Sequence, residues 1–119
     1  MILELDKEWL KGYIEIIILS ILETKSMHGF LLSKEIKELS GNSFEMKEST
    51  LYLALKRLEK KELVSSFWSD NNGGGRRKIY EISPQGKIQY SQKRDEWEYF
   101  KHVIDIFLRK EIISGDKQN

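Results

Sequence analysis

One stretch of the chain, residues 48–83, constrains the fold more than any other. It opens with a segment, Glu48–Lys61, whose apolar residues recur at the three- and four-residue spacing of an amphipathic helix. Two strand-like segments follow, Leu63–Ser69 and Lys78–Ser83, on either side of a turn with three consecutive glycines. Glycine adopts the left-handed backbone angles that tight turns need. The order of helix, strand, turn and strand predicts a winged helix-turn-helix in which the hairpin is the wing.

The predicted helix Glu48–Lys61 has an outer face that suits DNA. The first turn of a helix offers unpaired N–H groups and a partial positive charge, which attract phosphates. Basic side chains one turn further on can reach phosphates or guanine edges in the major groove. The alternative is a solvated face whose charges Glu48 and Glu59 balance. The residues predicted to contact DNA from this helix and its start are Lys47, Ser49, Thr50, Tyr52, Lys56 and Arg57.

The predicted wing carries three cations beside its glycine turn, namely Arg76, Arg77 and Lys78. Neighbouring side chains on a strand point to opposite faces, so all three cannot enter one groove. We predict that they mainly neutralise phosphate charge on DNA. The glycines fit two interpretations equally well, a simple hairpin turn or a tip that approaches a DNA backbone closely. A phosphate-binding loop is excluded, because no Gly-Lys-Ser or Gly-Lys-Thr sequence follows the glycines.

The remaining segments are predicted to be helical, apart from one short edge strand at residues 44–46. Ser26 is a candidate cap for the second helix, and Ser83 followed by Pro84 is a typical helix start. The predicted helices outside the wing region are Trp9–Thr24, His28–Ser40 and Pro84–Ile113. The candidate core residues of the second helix are Phe30, Leu31, Ile36 and Leu39.

We expect a mainly α-helical chain with a small β-hairpin, organised as one compact unit and one long helix. The predicted parts are a winged helix-turn-helix DNA-binding domain at residues 1–83, a C-terminal dimerisation helix at 84–113 and a flexible tail at 114–119. A chain of 119 residues is close to the common size of a single domain.

Composition excludes several classes of protein. With 39% hydrophobic and 33% charged residues, the chain is typical of a globular protein. The net charge of +1 does not itself suggest nucleic acid, but the cations of the middle third are grouped, and local potential is what steers DNA. The apolar run Ile14–Leu22 is shorter than the about 20 residues that span a bilayer. With no cysteine and no targeting segment, we expect a cytoplasmic protein that does not bind membranes.

Apolar and aromatic residues are in excess on the first and last predicted helices. The first helix is apolar nearly all round, and the last carries Trp97, Phe100, Ile104 and Phe107 at a coiled-coil-like spacing. A domain this small has too little of its own surface to cover both, so a homodimer is the simplest explanation. Trp9, together with Trp97 and Phe100, suits a planar aromatic ligand, and dimer packing alone remains the alternative.

Enzymatic function is poorly supported by the sequence. The two histidines, His28 and His102, are far apart, and no nucleophile motif is present. Glu98, His102 and Asp105 share one helical face, but a solvated polar stripe explains them better than a metal site. We therefore predict no catalytic residue, no cofactor and no bound metal. A winged helix that contacts protein or RNA instead of duplex DNA remains the alternative function.

Several of these segments, taken together, resemble the PadR family of transcriptional repressors. The hallmark runs from Ser49-Thr50-Leu51-Tyr52 through Ala54-Leu55-Lys56-Arg57-Leu58-Glu59-Lys60. Arg76-Arg77-Lys78-Ile79-Tyr80 with Ser83-x-x-Gly86 is similar to the wing of that family and its turn into the last helix, and His28-Gly29-Phe30 is similar to the opening of its second helix. The likeness covers roughly residues 9–110.

The single helix after the wing is similar to the short branch of the PadR family, which includes multidrug-binding repressors. The resemblance implies a homodimer, joined through the first and last helices, that binds an inverted-repeat operator in double-stranded DNA. It further implies that Trp97 stacks on aromatic effectors in a pore between subunits, with Trp9 and Phe100 close by. Release of a repressor by a small aromatic effector is the function expected on this basis.

Overall fold

The computed structural model describes residues 5–71 and 75–110 of the chain. These residues form five α-helices and three strands. In chain order the elements are α1 (Lys7–Leu10), α2 (Ile14–Leu22), β1 (Met27–His28), α3 (Gly29–Leu39), α4 (Glu48–Lys60), β2 (Val64–Asn71), β3 (Gly75–Ile82) and α5 (Pro84–Arg109). No helix of the described residues is both long enough and apolar enough to cross a membrane.

The first predicted helix is divided in two. It begins at Lys7, where the Asp6 carboxylate accepts a hydrogen bond from the backbone N–H of Glu8, and α1 ends after one turn. A 3-10 turn, Lys11–Tyr13, separates α1 from α2. The prediction of one continuous helix over Trp9–Thr24 is therefore wrong. The interruption coincides with Gly12, a residue with low helix propensity that lies in the 3-10 turn.

The start of the second helix also differs from the prediction. Met27 and His28 form β1 and pair with Tyr80 and Ile79 of β3, so Ser26 does not cap a helix. Instead, Nδ1 of His28 accepts a hydrogen bond from the backbone N–H of Leu31 at 3.2 Å and caps α3. The backbone of α3 thus starts one residue later than predicted.

This start sets which side of α3 faces the core. Leu32 and Ile36 are buried, whereas the predicted core residues Phe30 and Leu39 are 73% and 72% exposed. Leu31 is half-buried against the core. Two of the four predicted core positions on this helix are therefore wrong.

The sheet is antiparallel and has the strand order β1–β3–β2. Its hairpin register pairs Val64 with Ile82 at one end and Asn71 with Gly75 at the other. Both strands extend closer to the turn than the sequence predicts, and Gly73 and Gly74 lie outside the described residues. Residues 44–46 form no strand, so that prediction is wrong; Met46 in this stretch is instead a core residue.

The core lies where α2, α3 and α4 meet one face of the sheet. The predicted inner stripe of α4, Leu51, Ala54, Leu55 and Leu58, is fully buried. From α2 the core receives Ile18 and Leu19, and from the sheet Val64 and Tyr80. Because these four inner residues fill the interior, the opposite side of α4 faces outward.

The last helix begins as predicted and remains largely uncovered. The Ser83 hydroxyl accepts a hydrogen bond from the backbone N–H of Gly86, and Pro84 occupies the first turn. A β-carbon on Gly86 would collide with the carbonyl oxygen of Leu63, which explains glycine where α5 meets the wing. The helix ends at Arg109 rather than Ile113, with Lys110 in the left-handed conformation; residues 111–119, which include the predicted tail, lie outside the described residues.

The described chain is elongated because α5 extends away from the core. Its dimensions are 72 × 35 × 21 Å and its radius of gyration is 18.2 Å. A compact domain of this length would have a radius of gyration of roughly 13–14 Å. Gly86 is the one buried residue of α5, so most of this helix has no partner within residues 5–71 and 75–110.

Candidate nucleic-acid interface and aromatic groove

The start of α4 is open to a ligand. Lys47 is its N-cap residue, and its side chain makes no capping hydrogen bond. Ser49 and Lys56 are exposed, Thr50 is half-buried, and Tyr52 is 42% exposed. Free N–H groups and nearby cations together make this end of α4 attractive to phosphate groups. The structure thus places these predicted residues on one outward surface.

Tyr52 is held in position by a glycine that sequence reasoning did not assign a role. A β-carbon on Gly29 would collide with the phenol oxygen of Tyr52, so only glycine leaves room for this ring. Gly29 is buried at the start of α3, directly after the β1 pairing. Gly29 thus permits the observed position of the Tyr52 ring against α3, and a larger residue there would displace the ring.

The wing distributes its cations over both faces, as strand alternation predicts. Arg76 and Lys78 share a face with Trp68, since Trp68 pairs with Lys78 in the register, and Arg77 points to the other face. The Arg76 guanidinium lies 5.3 Å from the centre of the Trp68 ring and 3.7 Å from the Asp70 carboxylate. The Lys78 ammonium lies 3.8 Å from the Glu59 carboxylate. Exposed pairs of this kind are weak and can exchange for phosphate.

A concave surface of about 430 Å³ lies between the wing and α4. Aromatic and basic side chains alternate around it, and two of the aromatics, Phe30 and Trp68, are strongly exposed. Sequence reasoning did not include either in the candidate interface. The residues that line the concave surface are His28, Gly29, Phe30, Tyr52, Trp68, Arg77, Lys78 and Tyr80.

His28 connects the helix cap to the wing. Its Nε2 lies 2.7 Å from Nη1 of Arg77, while Nδ1 caps α3. A neutral imidazole has only one nitrogen lone pair free to accept, so the cap and a hydrogen bond from Arg77 compete for it. Burial, and then the charge of Arg77, lower the pKa of His28. A phosphate that drew Arg77 away would relieve the competition.

Arg57, which is predicted to contact DNA, forms an ion pair with Glu15 of α2. Its Nε donates a hydrogen bond to Glu15 Oε2 at 3.0 Å, and Lys61 donates to the other carboxylate oxygen at 2.9 Å. This places Arg57 against α2, away from Tyr52 and Lys56. Contact of Arg57 with DNA stays a prediction; helical spacing did not reveal its partner 42 residues away.

The three predicted effector residues meet in one apolar groove of about 650 Å³. Trp9, Trp97 and Phe100 all line it, and Trp97 packs edge-on against Tyr13 with ring centres 5.4 Å apart. The rings of Trp97 and Phe100 are 6.1 Å apart. Trp9 is 77% exposed, so the described chain leaves this side of the groove open.

The polar stripe on α5 does not form a cluster suited to a metal. Glu98 pairs with Lys101 at 3.2 Å, and Asp105 pairs with Arg109 at 3.8 Å. Across residues 5–71 and 75–110, no group of three or more potential ligands is placed to hold a metal ion.

The fold and the basic face define a winged helix-turn-helix regulator, and comparison identifies its family. Residues 18–92 match the family model described as the transcriptional regulator PadR-like family, more than half of the 119-residue chain. The protein belongs to the PadR-like family of transcriptional regulators. Proteins of this family are regulators rather than enzymes.

Solved structures agree with this family and with the fold class. A transcriptional regulator from Clostridium thermocellum is 37% identical, with a TM-score of 0.80, over 87% of this chain and 97% of its own. A PadR family regulator from Clostridium difficile R20291 is 44% identical, with a TM-score of 0.73, over 82% and 99%. Bacillus subtilis PadR, solved in complex with operator DNA, shares the fold at 21% identity and a TM-score of 0.62, over 69% and 45%. The PadR resemblance and the winged-helix fold are confirmed.

The lowered pKa of His28 predicts a specific loss of stability in mild acid. Above about pH 6.5, the ordinary histidine pKa, the ring is neutral in both the folded and the unfolded chain. As the pH falls through that value, the unfolded chain binds the proton more readily, so the free energy of unfolding decreases until the folded pKa is passed. His28→Asn keeps a capping side chain but cannot titrate.

The measurement is urea unfolding of both proteins at about pH 7.5 and about pH 5.5. The wild type should lose more stability than His28→Asn over this interval. An equal loss in the two proteins would show that the pKa of His28 is not lowered in the folded state.

Proposed function

We propose that two copies of this chain bind an inverted-repeat operator and repress transcription until a planar aromatic effector releases them. The observation that supports DNA binding best is the open, cation-edged start of α4 beside a basic wing. In this arrangement α4 enters the major groove, and the wing follows the neighbouring backbone. Such a regulator would act in the cytoplasm, where its DNA lies.

The family and one distant relative support this proposal. Members of the PadR-like family are transcriptional regulators, and Bacillus subtilis PadR, which shares the fold, was solved with operator DNA. Within the described part of the chain, Lys47, Lys56 and Arg77 form no ion pair with a carboxylate, so binding a phosphate would not require breaking one. Ser49, Thr50 and Tyr52 would contact bases or adjacent phosphates, with Arg76 and Lys78 adding positive charge.

The uncovered side of α5 supports a homodimer. Phe100, Ile104, Phe107 and Leu108 are exposed along the same helix, next to the open aromatic groove. An apolar surface of this extent on an isolated protomer indicates an interface. A second copy using the same surface would form a two-fold symmetric dimer, and an inverted-repeat operator has the same symmetry.

Substitution of Lys56 or Arg77 by alanine tests the DNA interface. Each should cost about 1–2 kcal/mol of binding free energy, roughly a five- to thirtyfold rise in Kd, because one charge-assisted contact is lost. Each should also reduce the dependence of log K on log salt concentration by about 0.9 per lost phosphate contact. Electrophoretic mobility shifts on DNA selected by the wild type, at several salt concentrations, measure both effects.

Lys87→Ala is the matched control, since Lys87 is exposed on α5 rather than on α4 or the wing. Unchanged affinity and salt dependence in both test variants would contradict the interface. A wild-type protein that selects no DNA sequence would favour a protein- or RNA-binding role for the winged helix.

Phe107→Glu tests the homodimer. A carboxylate at this 61% exposed position on α5 would leave the core intact but place a charge inside the proposed interface. Sedimentation equilibrium should detect monomers, and operator binding should weaken because two half-sites are no longer held together. Leu39→Glu, at a 72% exposed position on α3, should remain dimeric. A wild-type monomer, or identical association in both variants, would contradict the dimer.

Trp97→Ala tests the effector groove. A planar aromatic probe such as 2-naphthol should quench the tryptophan fluorescence of the wild type by stacking on Trp97. The comparison is best made in a Trp68→Phe background, which removes the tryptophan of the wing. Loss of the saturable quenching in Trp97→Ala is expected. If both proteins quench equally, Trp97 contributes packing alone.

A further inference from the structure

A three-residue ionic cluster, hereafter the Glu15 clamp, joins α2 to the end of α4. It consists of Glu15, Arg57 and Lys61, with one cation on each carboxylate oxygen at 3.0 and 2.9 Å. Arg57 lies in the last turn of α4, and Lys61 is its C-cap residue. Glu15 lies in the first turn of α2. The clamp therefore fixes the far end of α4, opposite to the end that faces DNA.

The carboxylate of the clamp is one of the shielded acidic groups of the described chain, comparable to Glu59 in its pair with Lys78, where the Glu59 side chain is 31% exposed. The Glu15 side chain is 28% exposed, whereas the Glu8 side chain, which pairs with Lys11 on the preceding helix, is 76% exposed. Burial alone would raise the pKa of Glu15, but hydrogen bonds and charge from Lys61 and Arg57 outweigh it and lower that pKa. The carboxylate is thus ionised at neutral pH and held by two directed hydrogen bonds.

The clamp adds a directed constraint to the apolar packing of α4. Ile18 and Leu19 of α2 meet the inner stripe of α4 through contacts that have no direction. Among residues 5–71 and 75–110, the two bonds of the clamp are the side-chain hydrogen bonds that connect α2 with α4 and its C-cap. Hydrogen bonds have preferred distances and angles, so these two bonds constrain the C-terminal end of α4 relative to α2.

The clamp also borders the aromatic groove. Tyr13 immediately precedes α2 and packs against Trp97, and a second cavity of about 640 Å³ is lined by Glu15, Arg57 and Lys61 together with these two rings. The same short helix thus contacts α5 on one side and holds α4 on the other. Its first turn is where the two contacts meet.

We propose that Glu15 is a positioning residue for DNA recognition, which sets the angle of α4 through Arg57 and Lys61. The inference rests on the proposed DNA binding. It concerns the preference for the operator over other DNA sequences, not the general affinity for DNA. Glu15 does not touch DNA in this arrangement. Its loss alters how well Ser49, Tyr52 and Lys56 fit the bases, while the cations that attract any duplex remain.

Electrostatics alone predicts an unchanged ratio of operator affinity to random-sequence affinity, which makes the proposal testable. Neutralising Glu15 makes the protein more positive, so affinity for every duplex should rise if charge were all that mattered. Under the proposal, Glu15→Gln keeps or increases affinity for random-sequence DNA but lowers the ratio of operator affinity to random-sequence affinity by roughly fivefold or more. Glu15→Asp retains the charge and shortens the reach to both cations, so it should lower the ratio without any change of net charge.

The experiment measures Kd by fluorescence anisotropy for two duplexes of equal length and composition. One is a sequence that the wild-type protein selects from a random pool, and the other is its scrambled form. Glu8→Gln is the matched control, because it breaks an exposed pair on α1 and should leave the ratio unchanged. All proteins are compared at a temperature well below the midpoint of their thermal unfolding, measured by circular dichroism.

The swapped variant Glu15→Arg/Arg57→Glu/Lys61→Glu restores opposite charges across the same helices and should recover part of the ratio. A ratio equal to that of the wild type in both Glu15→Gln and Glu15→Asp would overturn the role of Glu15 while leaving DNA binding intact. A wild-type ratio of one would instead refute the DNA-binding proposal and, with it, this inference. A decrease in the test variants that the swap does not reverse would also count against a charge-mediated clamp.

Discussion

The complete burial of one side of α4 is the constraint on which the interface depends. Leu51, Leu55 and Leu58 are each 0% exposed, and truncating any one would leave a cavity that costs about 2–5 kcal/mol. A helix anchored this firmly by one stripe must present its other side to solvent. The surface that carries Ser49 and Lys56 is therefore a consequence of core packing, and changes in it need not disturb the fold.

The second constraint is that too few residues of the described chain pack against α5 to cover it. One compact cluster of residues from α2, α3, α4 and the sheet forms the core, and α5 contributes no buried hydrophobic side chain to it. The aromatic rings of Trp97 and Phe100 are partly covered by the first two helices, but Phe107 and Leu108 lie beyond them. The part of this 26-residue helix that remains uncovered is the surface on which the proposed interface rests.

The features predicted correctly from the sequence are those that depend on local sequence patterns. The inner stripe of α4, the hairpin and the Ser83 cap all depend on residues close together in the chain, and all three were correct. Sequence reasoning missed β1, because a strand of two residues has no periodicity and exists only through pairing with β3. That pairing shifted the start of α3 and exposed Phe30. Sequence reasoning also missed the pair between Arg57 and Glu15, because helical spacing indicates the side of a helix on which a residue lies, not a partner distant in sequence.

The position of α2 connects the two candidate sites. Tyr13 is the N-cap residue of this nine-residue helix and Glu15 lies in its first turn, so a displacement of Tyr13 acts on the backbone two residues before Glu15. A ligand that separated Tyr13 from Trp97 would therefore change the alignment of α4 without touching it. Coupling of this kind requires a rigid element that contacts both sites and a directed bond from that element to one of them. Here the rigid element is α2, and the Glu15 clamp is the directed bond to α4. The selectivity of the DNA interface and its response to an effector would then have one structural origin.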